Sequence, residues 1–189
     1  MHMNTKANTF FNLKMAGYLN EQLAIENSVA DRLVTRIHEV SFSDFKQHLE
    51  QNLRETMGRQ EMIYKLIVSL GGKPTDAKAT LPTLKTIDSQ SSIKELKDVV
   101  ESLTDHHKKQ VKTVENEIHN IKEDVMIEKV GAITYKILLR FAQQANVVDA
   151  IPILKQSFEE EESMSNWISD NISVMIDHLW PKIESALIE

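Results

Sequence analysis

Four glutamates, Glu26, Glu55, Glu128 and Glu161, occupy positions from which carboxylates could act together. Glu161 lies within the acidic run of SFEEEESMSNWI at residues 157–168. Phe158, Glu161, Ser165 and Ile168 recur at steps of three and four, which places them on one helical stripe. Of the four consecutive acids, Glu161 is therefore expected to point inward. Glu159, Glu160 and Glu162 belong to a solvated face, and Glu160 is the nearest rival if the register shifts. Glu26 stands in the same way between Leu23 and Ala30, and Glu128 between Val125 and Ala132. Glu55 shares a stripe with Asn52 and Arg59 on a segment that is polar on several faces, and is the acid nearest its seam. Carboxylates gathered in an apolar interior need metal ions, basic side chains or bound protons to offset their desolvation. If metal is the answer, hard oxygen ligands favour iron or manganese over copper, and oxygen or peroxide chemistry becomes available. No organic cofactor is expected.

The elements that must hold these acids read as long helices. Apolar periodicity predicts helices over about residues 11–40, 44–70, 110–145 and 150–179, with Ser43 and Asp149 as N-caps. Gly71-Gly72 followed by Lys-Pro ends the second helix. A crossover of roughly 40 residues follows, polar at first, then SSIKELKDVVESL, which reads as a shorter helix or an early start to the next. The tail WPKIESALIE reads as a short extra helix after Pro181. Two short turns and one long connection predict an all-α, ferritin-like four-helix bundle, a single domain over 1–189 with tails at 1–10 and 182–189. Glu26 and Glu55 are each about 15 residues from the first turn, roughly 20 Å along the hairpin. Glu128 and Glu161 are nearly equidistant from the second. All four are expected in one layer.

Composition removes other classes. The chain has 189 residues, no cysteine and a formal net charge of −6. Thiolate metal sites, cysteine nucleophiles and disulfides are excluded, and a reducing cytoplasm is compatible. The acidic balance argues against a nucleic-acid partner. No apolar run approaches the ~18 residues of a membrane span, and no secretory leader is recognised, so a soluble cytoplasmic protein is expected. Met1-His2-Met3 reads as a cloning remnant. A Gly-rich phosphate loop, a nucleophile elbow and HExxH are all missing. His38, His48, His106, His107 and His119 read as surface residues or weak ligands, and Tyr135 as core. Val29, Val34, Ile137 and Leu138 extend beyond one core stripe and suggest a homodimer.

ENSVADRL, NLRETMGRQ followed by LGGKP, EKVGAITYKILLRFA and LKQSFEEEES, in that order, make most of the chain resemble the ferritin-like, stress-associated proteins of the YciE/YciF type. The resemblance implies a bundle, often dimeric, whose glutamates can form a two-metal carboxylate site. This chain departs from that pattern. Related two-metal bundles carry Glu-x-x-His on two helices, whereas here Gly58 follows Glu55 and Met164 follows Glu161. Asn52 stands where the family usually has His, and Gly131 where it has a second acid. Arg59 and Lys129 add positive charge, with Arg59 placed to pair with Glu55 one turn away. Two functions remain in view: a metal-binding ferritin-like protein using Glu26, Glu55, Glu128 and Glu161, and a structural or interaction bundle that has lost the chemistry.

Overall fold

Five helices account for the apolar periodicity in the computed structural model, which describes residues 5–83 and 93–188. They are α1 (Thr5–Glu39), α2 (Ser43–Ser69), α3 (Lys94–Ser102), α4 (Asp105–Ala145) and α5 (Ala150–Ile188). No strand occurs among the described residues. The fold is the expected all-α bundle, and within SSIKELKDVVESL the residues Lys94–Ser102 form the separate helix α3. The cloning remnant Met1-His2-Met3 and residues 84–92 of the crossover lie outside the described residues.

Three local features differ from expectation. Ser43 begins α2 without capping it: Phe42 stands at the cap in an extended conformation with no side-chain bond, and the Ser43 hydroxyl donates to Asp44 Oδ1 at 3.3 Å. Residues 5–10 belong to α1 rather than to a tail. Finally, α5 continues through Pro181 to Ile188, with no separate terminal helix. Proline removes one helical hydrogen bond and crowds the preceding turn, yet Leu179 and Ala186 on either side are both buried. Their packing offsets the defect.

The chain divides into two compact units, one comprising the segment up to Leu81 with Ile127–Ser165, the other Pro82–Met126 with the segment from Asn166 onward. Helices α4 and α5 each contribute a stretch to both. In the first unit, α1 and α2 form a hairpin, and the adjoining ends of α4 and α5 form a second. Asn146 closes α4 with φ of 56°, a left-handed conformation that asparagine tolerates better than most residues. Leu19 and Leu23 of α1, Ile63 and Ile67 of α2, Tyr135 and Ala142 of α4 and Leu154 of α5 pack into one core cluster. Val29 and Leu138, expected to face a partner, are buried, whereas Val34 and Ile137 are exposed. In the second unit, Val111, Val114, Ile121, Ile168 and Met175 are buried, and Gln110 Nε2 donates to Ser185 Oγ at 3.1 Å. Helix α3 buries none of its residues. No helix among the described residues is long and apolar enough to cross a membrane.

After α2 the chain turns at Gly71, with φ of 83°, and Gly72 N–H donates to Ile67 O at 2.9 Å. Beyond the turn, residues 73–79 run along α1. Asn20 Nδ2 donates to Lys73 O (2.9 Å), Asn27 Nδ2 to Ala77 O (3.0 Å) and Ser28 Oγ to Ala79 O (2.6 Å), while Ala79 N donates to Ala24 O (3.0 Å). A Cβ on Gly72 would lie 2.8 Å from Ala16 Cβ and 2.9 Å from Ile67 Cγ2, both in packed core. Gly72→Ala should therefore lower stability by about 1–3 kcal/mol, the usual cost of overpacking. Gly17→Ala, where the added methyl meets nothing within 4 Å, should be neutral or stabilising by up to about 1 kcal/mol. Urea denaturation of the two variants beside the parent checks both signs.

Candidate functional site

Each long helix presents polar side chains at one level of the first unit. From α1 comes Glu26, 1% exposed, and from α2 comes Arg59, 0% exposed. Glu128 and Tyr135 come from α4, and Glu160 and Glu161 from α5. Leu23, Val29 and Leu33 of α1 and Leu49 and Ile63 of α2, along the same helices, are buried as well, and charges buried among such residues need partners.

Arg59 meets most of them. Its Nε donates to Glu26 Oε2 at 3.2 Å, Nη1 to Glu160 Oε2 at 3.2 Å, and Nη2 to both Glu161 Oε1 at 2.7 Å and Thr56 Oγ1 at 3.0 Å. The planar guanidinium thus joins three helices through a fork that lysine could not reproduce. Burial opposes its charge, but Glu26, Glu161, Tyr135 and Glu128 outweigh burial and keep it protonated. Glu26 is fixed from its other side. Its Oε1 accepts from Gln22 Nε2 at 2.9 Å and from the Tyr135 hydroxyl. Burial and the Glu26 carboxylate hold Tyr135 well above its ordinary pKa, so its proton stays in place.

Protons supply the rest of the neutralisation. Burial pushes Glu128 up to about 7 against the pull of Arg59 and of hydrogen bonds from Asn52 and Glu161. Burial and the adjacent Glu128 hold Glu161 well above the carboxylate range, even with Arg59 in contact. Two carboxyls that hydrogen-bond each other must share a proton. Glu128 Oε1 also accepts from Asn52 Nδ2 at 2.7 Å. The closeness of Glu161 to α4 depends on Gly131, where a Cβ would fall 2.3 Å from Glu161 Oε2. An acid at that position is incompatible with the observed Glu161 rotamer.

Three of the four expected glutamates, Glu26, Glu128 and Glu161, are brought together. Glu55 is not. It is half-buried on α2 and accepts from Gln51 Nε2 at 2.7 Å, and Arg59 turns away from it toward the acids of α1 and α5. The core-facing stripe of α2 is Asn52, Thr56, Arg59 and Ile63, one residue around from Glu55. Glu160, assigned to a solvated face, also reaches Arg59. The Tyr135 hydroxyl, expected to find a local partner, finds it in Glu26, while Gln22 and Thr56 are members that the sequence does not single out. Gln22 lies one turn from Glu26, and Thr56 three residues from Arg59, spacings at which helical side chains meet. The residues present do not suit a two-metal centre: a guanidinium lies among the carboxylates, and no group of three or more His, Asp or Glu with metal-binding geometry is found among the described residues.

The shared proton makes stability depend on pH. Glu128 rises from its ordinary value of 4.5 to about 7 on folding, so between those values the folded state holds a proton that the unfolded chain has released. Stability contributed by this group is therefore full below about pH 4.5, falls as pH rises through the window and levels off above about 7. The parent should melt higher at pH 6 than at pH 8, and Glu128→Gln should flatten the difference and leave stability at pH 8 equal or raised. Melting curves of both proteins at the two pH values check this. Gly131→Ala tests the geometry. Alanine is the better helix former by about 1 kcal/mol, yet the substitution should destabilise by displacing Glu161. Combining it with Glu161→Ala should relieve the penalty, with a coupling energy of about 1–3 kcal/mol in a double-mutant cycle.

Comparison with solved structures finds a crystal structure of a protein from Xanthomonas campestris pv. campestris with a TM-score of 0.66 at 12% identity, over 92% of this chain and 99% of that one. At that identity the likeness speaks for the fold alone. No curated protein matches the chain. The family model described as "Domain of unknown function (DUF892)" matches residues 16–178, a span that contains every residue of the buried cluster. The chain belongs to the DUF892 family.

Proposed function

We propose that this chain is a non-catalytic structural or interaction bundle of the YciE/YciF type, in which Arg59 supplies the charge that metal ions would supply in a two-metal relative. The observation that carries this reading is the fully buried guanidinium held between Glu26 and Glu161 at 3.2 and 2.7 Å. Gly131 and the lack of Glu-x-x-His agree with it. On this reading Glu26, Glu128 and Glu161 tie α1, α2, α4 and α5 together, and the activity of the protein lies at its surface. A second copy of the chain is the partner we assign. Val130, Ile133 and Ile137 form an exposed apolar stripe on α4 at steps of three and four, 43%, 59% and 64% exposed. A cytoplasmic location and a role in stress rest on the family resemblance and on the absence of cysteine.

The competing reading is an iron or manganese centre, and one observation favours it. Among the described residues Gln22 Oε1, Asn52 Oδ1 and Glu128 Oε2 are buried without a hydrogen-bond donor, so three oxygens remain that a cation could use. A melting series separates the readings. The parent, Arg59→Met and Glu128→Gln are each melted with chelator, with manganese and with ferrous iron. Arg59→Met should be destabilised by about 3–5 kcal/mol, the cost of stripping a buried charge network of one partner, and the parent transition should not respond to either metal. A parent transition raised by stoichiometric metal, with the rise lost in Glu128→Gln, would establish metal binding and sink the proposal, since ligands that bind only the folded state stabilise it.

A further inference from the structure

The α1–α2 hairpin and the segment pinned beside α1 enclose an open groove of about 730 Å³ in the first unit. That volume lies within the roughly 300–1,000 Å³ of small-molecule sites. Leu23 and Ala30 of α1 form its floor, Met57 and Tyr64 of α2 one wall, and Thr75–Lys78 the other. Met57 and Tyr64 are 58% and 55% exposed, two large apolar side chains two turns apart that nothing in the unit covers. The opposite wall is preformed, because Asn20, Asn27 and the Ala24 carbonyl hold it through the hydrogen bonds already described. Thr75 N–H also donates to Asn20 Oδ1 at 2.9 Å.

The rim carries a net negative charge. Three carboxylates, Asp31, Glu61 and Asp76, face two ammonium groups. Both are engaged, Lys78 with Asp31 and Lys65 with Glu61, so that among the described residues the Asp76 carboxylate lies over the groove without a cation. An anion would meet no unpaired ammonium group among the described residues that line the groove. A cation would meet Asp76 and the electron-rich face of Tyr64.

From this complementarity we infer that the groove is a binding site for a small organic cation with an apolar body, of the arylalkylamine class. The ammonium group lies at Asp76 and Tyr64, and the apolar part covers Met57 and Leu23. The site is separate from the buried cluster and does not depend on the function assigned to it. Phenethylamine is the probe, with phenethyl alcohol and phenylacetate as neutral and anionic counterparts of the same shape. Amide chemical shifts of the full chain, labelled with nitrogen-15, are followed during titration. The expected result is saturable shifts for the amine at Thr75–Lys78 and on the Met57–Lys65 face, weaker binding of the alcohol and none of the acid. Asp76→Asn should weaken amine binding about twofold to fivefold, the range of an exposed ion pair, and leave the alcohol unchanged. Tyr64→Ala should weaken both. Equal binding of the three probes, unsaturable shifts, or shifts mapping elsewhere would overturn the assignment. It would equally fall if the groove amides shifted with protein concentration in the absence of probe, which would make the groove an interface between copies of the chain.

Discussion

The guanidinium of Arg59 is the constraint around which the first unit is built. A carboxylate or guanidinium removed from water carries a penalty of several kcal/mol even after relaxation, and Glu26, Arg59, Glu128 and Glu161 are all at least 96% buried. Such a group persists only where its partners arrive together, and here they come from α1, α2 and α5. The pairing of the two hairpins is thereby tied to one geometry. An apolar layer could slide by one residue at modest cost, whereas a charged layer out of register leaves buried charges unmet. The cluster acts as a specifying contact more than as a source of net stability, because an apolar replacement of equal shape often does as well energetically.

The surrounding residues serve that geometry in distinct ways. Gln22 and Tyr135 orient Glu26 with donors, so its second oxygen faces Arg59. Thr56 takes a guanidinium proton that would otherwise point at apolar side chains. Asn52 holds Glu128 beside Glu161, where the two carboxyls share a proton in place of a second cation. Gly131 contributes by what it lacks, since the missing Cβ is the space in which the Glu161 carboxyl lies. A cation, a proton and a cavity together meet the charge of the layer with the protein's own groups.

The long helices were legible because their apolar residues recur at three and four over many turns, and a period so sustained has few alternatives. Glu26, Glu128 and Glu161 could be read inward for the same reason, each flanked by apolar residues one turn away. Helix α2 was harder. Its stripe through the layer is Asn52, Thr56 and Arg59, all polar, so no apolar flank distinguished the inward face from Glu55, one position off. Arg59 was visible as a possible intruder, but its partners were not, because pairing by sequence favours the nearest acid four residues away while the folded bundle offers acids from other helices at closer range. Glu160 escaped for a related reason: a half-buried acid at the edge of a layer has no periodic signature. Pro181 reads as a breaker, and only the burial of Leu179 and Ala186 explains why α5 runs through it.

Neutralising the interior with the protein's own groups has a consequence for where recognition can occur. The donors of the Arg59 guanidinium are taken by the carboxylates of Glu26, Glu160 and Glu161 and by the Thr56 hydroxyl. The outward faces of the first unit present an apolar stripe on α4 and, on the hairpin, a groove whose walls are a helix and a chain segment fixed by asparagine side chains. Both are held in shape by the layer beneath them, since Met57 and Gln60 of the groove flank Thr56 and Arg59 on α2.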